Sequence, residues 1–361
     1  MSLKNFIHEI LEKRPVALFF GGRGYEHDVS RLGAANFIEK ALSSGRELLP
    51  VYIDKRGDFF IFCGDIYEIG NISKEIPDRS LLAVSPLRAC GKSGLLFDGN
   101  IIEISLAIPL LHGDFGEDGT IQGLFTSLGI EFVGADTVSG AVMLDKAYSK
   151  AVAESVGVPV LPYLVFLKDG FCAREAESLV REKIGYPAFV KPSRLGSSVG
   201  ASLVLSEDQL LDSINCAFSV SDRIMVEVGL TDKRELECAY FKVGEKKIIS
   251  HPAEISVKSG FYDYKKKYSE GGAELCSYAD VDVGIASLIS KYTEKLASIL
   301  GARHIARFDY FLTSSGEIYF NEVNSFPGMT AGSLYCDMLS ESGLGMDSFI
   351  EILFGIARKN D

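Results

Sequence analysis

The chain has 361 residues, more than one hydrophobic core comfortably organises, so two or three domains are expected. Its 47% hydrophobic and 24% charged residues describe a globular protein and exclude a disordered or membrane-spanning chain. A net charge of -12 argues against nucleic acid or anionic lipid as partner, since both reward a basic face, but not against a nucleotide, whose phosphates need only a few local cations.

In chain order, Val16 to Phe20 is an apolar run closed by Gly21-Gly22, a buried strand entering a turn. A helix pattern follows from Val29 to Leu42, then strands over Leu48 to Ile53 and Ile104 to Leu110, the latter ending at His112-Gly113-Asp114. Strand, helix, strand at this spacing implies a parallel α/β first domain with its strand-end loops available for ligands. Gly, Asp and Thr punctuation at Val133 to Thr137 marks a boundary. Ser139 to Arg223 reads as helix, strand, Gly/Ser loop, strand and helix. From Ile224 the pattern is strand-rich, then helical over Ala286 to Leu300, then a two-strand unit and a closing helix. Three contiguous domains, 1–138, 139–223 and 224–361, around one cleft are expected. Seven dispersed cysteines without a C-x-x-C pair indicate reduced thiols, and the N-terminus lacks a secretory pattern, so a cytoplasmic location is expected.

The sharpest chemical signal is Arg307-Phe308-Asp309 followed by Glu322-Val323-Asn324, joined by Ser314-Ser315-Gly316-Glu317. With Ser315-Gly316 as a two-residue turn, Asp309 falls opposite Glu322 and Arg307 opposite Asn324, all four on one face. Opposed like charges destabilise a sheet, so something positive must sit between these carboxylates. An Asp, Glu and Asn set suits Mg²⁺ bound with phosphate oxygens. The bland alternative is a solvated hairpin face. The second signal, Lys191-Pro192-Ser193-Arg194-Leu195-Gly196-Ser197-Ser198-Val199-Gly200, leaves one strand and enters another. Its Gly and Ser residues let backbone N–H groups form an anion nest beside Lys191. It is not a Walker A loop, and Gly22-Arg23-Gly24 does not complete a dinucleotide fingerprint, because His27 stands where the third Gly belongs. Taken alone, such a loop is more often only a turn.

Two further clusters follow strand ends. His112 to Gly119 precedes a helix near Thr120, where Glu117 or Asp118 would merely offset the helix dipole. In Glu26-His27-Asp28, Asp28 could be a helix cap while Glu26 holds a substrate ammonium.

In order, GGRGYEHDVS, HGDFGEDGTIQG, Met143-Leu144-Asp145-Lys146, VKPSRLGSSVG, YDYKKKY, ARFDYF and NEVNSFPGMT resemble the D-alanine–D-alanine ligase family of the ATP-grasp superfamily. The resemblance covers essentially the whole chain and implies a three-domain α/β ATP-grasp fold with an N-terminal parallel α/β domain. It implies that Lys146 and Lys191 bind ATP phosphates, that Glu227 lies in the segment next to adenine and that Glu235 reaches the ribose. Asp309, Glu322 and Asn324 would hold two Mg²⁺, with Mn²⁺ as a substitute. Glu26 and His112 would fix the first substrate, and Arg307, Gly328 and Ser333 would surround the second. Ser197 and Tyr268 would sit on covering loops, with Lys267 near the γ-phosphate. The implied reaction joins two D-alanines through an acyl phosphate for peptidoglycan precursor synthesis, in a homodimer. Alternatives are D-Ser or a D-hydroxy acid as second substrate, another ATP-grasp carboxylate–amine ligase, or a nucleotide-binding regulator with a degenerate ligase fold. Gly24, Thr126, Leu195 and Tyr335-Cys336-Asp337 depart from the family pattern.

Overall fold

Strand β1 (Val16–Gly21) is buried along its whole length because it is covered on both faces. Val16, Leu18 and Phe20 pack with Phe37 and Ile38 of helix α1 (His27–Ser43), whereas Ala17 and Phe19 face Ile121 and Phe125 on the other side. The computed structural model describes residues 13–256 and 274–357. β1 runs parallel to β2 (Leu49–Ile53) on one side and to the later strand Leu106–Pro109 on the other. The predicted strands are thus parallel. The sheet grows further than the sequence pattern suggested, through an antiparallel meander of β3 (Phe59–Phe62), β4 (Leu81–Ala89), β5 (Lys92–Phe97) and β6 (Asn100–Glu103). With Leu106–Pro109 as β7, the order is β6-β5-β4-β3-β2-β1-β7. A short helix, α2 (Ile66–Gly70), lies in the β3–β4 link, and α3 (Thr120–Leu128) follows β7.

Helices α4 (Thr137–Leu144) and α5 (Lys146–Ser155) lead into a four-stranded antiparallel sheet. Its members are β8 (Tyr163–Leu167), β9 (Ala188–Pro192), β10 (Ser202–Val204) and β11 (Arg223–Val228), with α6 (Ala173–Lys183) and α7 (Leu210–Val220) packed on it. The third sheet contains β12 (Lys233–Val243), β13 (Lys246–Ile249), β14 (Ala253–Ser256), β15 (Glu274–Cys276), β16 (His304–Thr313) and β17 (Ile318–Asn324). Its path is β15-β14-β12-β16-β17, with β13 on β12. Helix α8 (Val283–Ile299) covers it, and the predicted closing helix is a pair, α9 (Leu334–Glu341) and α10 (Met346–Ala357).

The cores cross sequence boundaries. Met143, Ala153 and Val158 pack with Leu236, Phe308 and Tyr310 of the third sheet. The closing helices share a core with β1, α1 and the Ala239 and Phe241 face of β12. The second sheet keeps a core of its own.

The β16–β17 hairpin pairs Asp309 with Glu322 and Arg307 with Asn324, the predicted register at the functional end. It reaches that register by a different route. The tip is a three-residue loop: Gly316 N donates to Thr313 O, and Gly316 takes φ +86°. A bulge between Asp309 and Tyr310 then shifts the ladder by one, so that Tyr310 opposes Phe320 and Asn321 is the extra residue. The two departures from the simple hairpin cancel.

Candidate active site

One cleft of about 800 Å³ opens between the three sheets, and every predicted site residue within the described stretches lines it. Lys267 and Tyr268 lie outside the described residues. The chain leaves β1 toward β2 on one side and returns as β7 on the other, which makes the β1/β7 edge the place where an α/β sheet opens a crevice. Glu26 follows β1 there, and His112 follows β7.

Ser197 Oγ donates to Glu26 Oε1 at 2.5 Å, joining residues 171 positions apart. Two glycines approach Glu26 closely: a Cβ at Gly113 or Gly196 would stand 2.8 or 2.9 Å from Glu26 Oε2, so that the carboxylate would have to shift. The loop holds its shape through left-handed Ser197, Ser198 and Gly200, at φ +51°, +57° and +70°. His112 is buried with no partner for Nε2; burial lowers its pKa below the usual histidine value, against the opposing pull of Glu26.

Of the two acids ahead of α3, one departs from the helix-start role and one keeps it. Glu117 does not offset the α3 dipole. It is buried, accepts from Gly113 N at 2.9 Å and Phe326 N at 3.1 Å, and so ties the His112 loop to the loop after β17. Burial, then the charge of Glu26, pushes its carboxyl up to about 7 against these two N–H donors. Asp118 accepts from Thr120 N at 2.8 Å, the local role expected at a helix start. Asp28 does not cap α1, which begins a residue before it; it sits in the first turn, 3.7 Å from Arg31.

At the other end of the cleft, Asp145 caps α5 by accepting from Ala147 N and Tyr148 N, and its second oxygen takes Arg194 Nε at 2.9 Å. This fixes the helix start that carries Lys146 against the Gly/Ser loop. Lys146 Nζ donates to Leu195 O at 2.9 Å and pairs with Glu322 at 3.0 Å. Because position 195 contributes its carbonyl, its departure from the family's acidic residue leaves this contact intact. Tyr335, another departure, is a core residue whose hydroxyl donates to Tyr240 O.

Lys191 Nζ lies 2.6 Å from Glu227 Oε1 and donates to Oδ1 of the bulge residue Asn321 at 3.0 Å. Lys150, one turn after Lys146, lies 3.0 Å from Glu227 Oε2. Burial works to raise the Glu227 pKa, but Lys150 and Lys191 outweigh it and hold the carboxyl at about 2. Glu235 is held at 3.1 Å by Lys233, whose ammonium stands 3.5 Å from the Phe311 ring centroid. Ser333 Oγ donates to Gly328 O at the far lip.

The hairpin carboxylates do have positive neighbours, and here these are side chains. Arg307 donates to Asp309 from Nε at 2.8 Å and Nη2 at 2.7 Å, and its Nη2 also lies 3.1 Å from Glu237. Asn324 Nδ2 donates to Asp309 at 3.2 Å. Among the described residues no three His, Cys, Asp or Glu side chains gather as a ligand set. The facing Asp309, Glu322 and Asn324 are nonetheless an all-oxygen donor set with two cationic groups already standing against its carboxylates, which fits a hard divalent cation.

Sequence reasoning missed Lys150, Lys233, Glu237 and Asn321. Alternation along β12 and β16 was the available signal for Glu237, since Leu236, Cys238, Phe308 and Tyr310 all point into the opposite core. For Asn321 there was none, because an unbulged strand would turn it away from Glu322.

Three sheets enclosing a lysine-rich pocket beside an acidic hairpin define an ATP-grasp ligase. Family profiles described as "D-ala D-ala ligase N-terminus" and "D-ala D-ala ligase C-terminus" match residues 15–135 and 152–355. The chain is 33% identical to the D-alanine–D-alanine ligase of Staphylococcus epidermidis, over 97% of this chain and 96% of that one. It is 32% identical to the Lactococcus lactis subsp. cremoris ligase, over 97% of each. Among solved structures, the VanG D-Ala:D-Ser ligase from Enterococcus faecalis superposes with a TM-score of 0.85 at 31% identity, covering 95% of this chain and 98% of that one. D-alanyl-alanine synthetase A from Vibrio cholerae gives 0.81 at 29%, covering 96% and 98%. The chain belongs to the D-alanine–D-alanine ligase family of ATP-dependent D-Ala–D-X ligases. Among the described residues, no helix is long and apolar enough to cross a membrane.

Proposed function

We propose that this chain condenses two D-alanines to D-alanyl-D-alanine, with ATP converted to ADP and phosphate, in the cytoplasm and for peptidoglycan precursor synthesis. The observation that carries the reading is the convergence, on one cleft, of the Glu26–Ser197 pair, the two lysines Lys146 and Lys191, and the oxygen-rich hairpin face.

Glu26 and His112 hold the first D-alanine with its carboxylate toward the phosphate lysines. That carboxylate attacks the γ-phosphorus of ATP and becomes an acyl phosphate, a good electrophile. Lys146 and Lys191 offset the charge of the two approaching anions, while the segment around Glu227 adjoins the adenine and Glu235 reaches the ribose. Held by Asp309, Glu322 and Asn324, Mg²⁺ would supply further charge neutralisation at the transferred phosphoryl group. The amine of the second D-alanine, received near Gly328 and Ser333, attacks the acyl carbon. Arg307 stabilises the oxyanion of the tetrahedral intermediate, and phosphate leaves. Lys267 is proposed to act near the γ-phosphate and Tyr268 near the reacting centre.

Phosphate release from ATP, with products identified by mass spectrometry, tests the reading. D-alanine alone should support turnover and yield the dipeptide; no phosphate release with D-alanine would overturn the proposal. The likeness to a D-Ala:D-Ser ligase structure favours one second reading, D-serine as acceptor. A mixed dipeptide exceeding D-alanyl-D-alanine at equal acceptor concentrations would establish it. D-lactate should be a poor acceptor at neutral pH.

A further inference from the structure

Lys150 is wholly buried and does not line the cleft, yet it bears an ammonium. Its ammonium lies 3.0 Å from Glu227 Oε2 and donates to Phe320 O at 3.2 Å. The other Glu227 oxygen is 2.6 Å from Lys191. Nearby cations have acids of their own, Glu322 for Lys146 and Glu235 for Lys233. The trio therefore holds two positive charges and one negative, all removed from water. A single Lys191–Glu227 pair would already satisfy the carboxylate, and adding a second buried ammonium costs desolvation. Burial accordingly pulls the Lys150 pKa down, to about 8, against the attraction of Glu227 and with Lys191 beside it.

We infer that Lys150 is a positioning residue which, by sharing Glu227 with Lys191, leaves the trio one net positive charge, which Lys191 presents to a polyphosphate in the cleft. This rests on the nucleotide reading of the site. Lys191 is the member that reaches the cleft; Lys150 acts through Glu227 from beneath it. Without Lys150 the remaining pair is neutral, and an anionic ligand must compete with Glu227 for Lys191.

The test is the ratio of adenosine to ATP dissociation constants, measured by calorimetry without D-alanine. The ratio cancels adenine and ribose contacts and leaves the phosphates. Lys150→Met should lower it about tenfold or more, as expected when a charge-assisted contact is neutralised. Lys150→Gln should lower it similarly, although glutamine can still hydrogen-bond both partners. The double variant Lys150→Met/Glu227→Gln, in which the cluster again carries one net positive charge, should recover most of the loss. An unchanged ratio in the Gln variant, or a double variant no better than Lys150→Met, would reduce Lys150 to a structural pin and overturn the inference. If the unmodified protein binds ATP no better than adenosine, it is the nucleotide reading that fails.

Discussion

Glu117 and Glu227 are both buried carboxylates of the cleft, and burial leaves them in opposite states. Glu227 lies between two ammoniums and is held at about 2; Glu117 lies between two backbone N–H groups, near Glu26, and is pushed up to about 7. Both are nearly inaccessible to water. Neutral N–H donors soften the desolvation of a carboxylate, whereas full positive charges reverse it. The contrast sets an acid among fixed positive charges against one that sits close to its own titration point.

If the partner decides how a buried or half-buried carboxylate behaves, the most sensitive one should be Glu322, set between Lys146 and the proposed metal. Glu322→Gln should lower turnover on the order of 100-fold or more and raise the Mg²⁺ requirement. Steady-state rates across a Mg²⁺ titration check this, and wild-type behaviour at limiting Mg²⁺ would defeat the metal assignment.

Glu227→Gln comes next. It strips the shared counter-ion from two buried ammoniums and should cost about 3–5 kcal/mol of unfolding free energy at neutral pH, readable by urea denaturation. The wild-type advantage should persist down to the ordinary carboxyl value of 4.5 and disappear as pH falls toward 2, because the folded pKa is depressed.

The smallest effect, and the one of opposite sign, belongs to Glu117→Gln. A raised pKa means that the folded protein holds this proton more tightly than the unfolded chain does. The contribution is therefore full below 4.5 and lost as pH rises through about 7. The melting temperature of the wild type relative to this variant should fall between those values. A flat difference, or one that rises, would remove the distinction between the two carboxylates.

How far these roles could be read from residues alone varies with the kind of contact. Period-2 alternation located the metal-type hairpin, although the register came out right only because a longer tip and a bulge compensate. Neither leaves a mark in hydrophobic patterning. The expected helix-start role falls to Asp118 and not to Glu117, because such an acid looks the same in sequence whether it faces solvent or, like Glu117, the backbone of Phe326 over 200 residues away. Lys150 was invisible for a similar reason: a lysine one turn beyond another lysine is the usual signature of a solvated helix face. The β3–β6 meander escaped because its strands are only partly buried, whereas β1 is buried along its whole length. Arg31 was another miss; it is enclosed among the carbonyls of Glu68, Ile69, Asn71 and Lys74.

The separate core of the second sheet has a mechanical consequence. The first and third sheets are welded by a continuous apolar seam running from β1 through Phe241 to the closing helices. The second sheet instead meets the rest of the cleft through polar clasps: Ser197 to Glu26, Arg194 to Asp145, Lys191 to Asn321 and Glu227 to Lys150. Prising apart the seam would expose hydrocarbon, while releasing the clasps exchanges ion pairs and hydrogen bonds for water. The second sheet is thus the jaw of the molecule, and its grip should loosen with added salt wherever water reaches the clasps, while the seam stays shut.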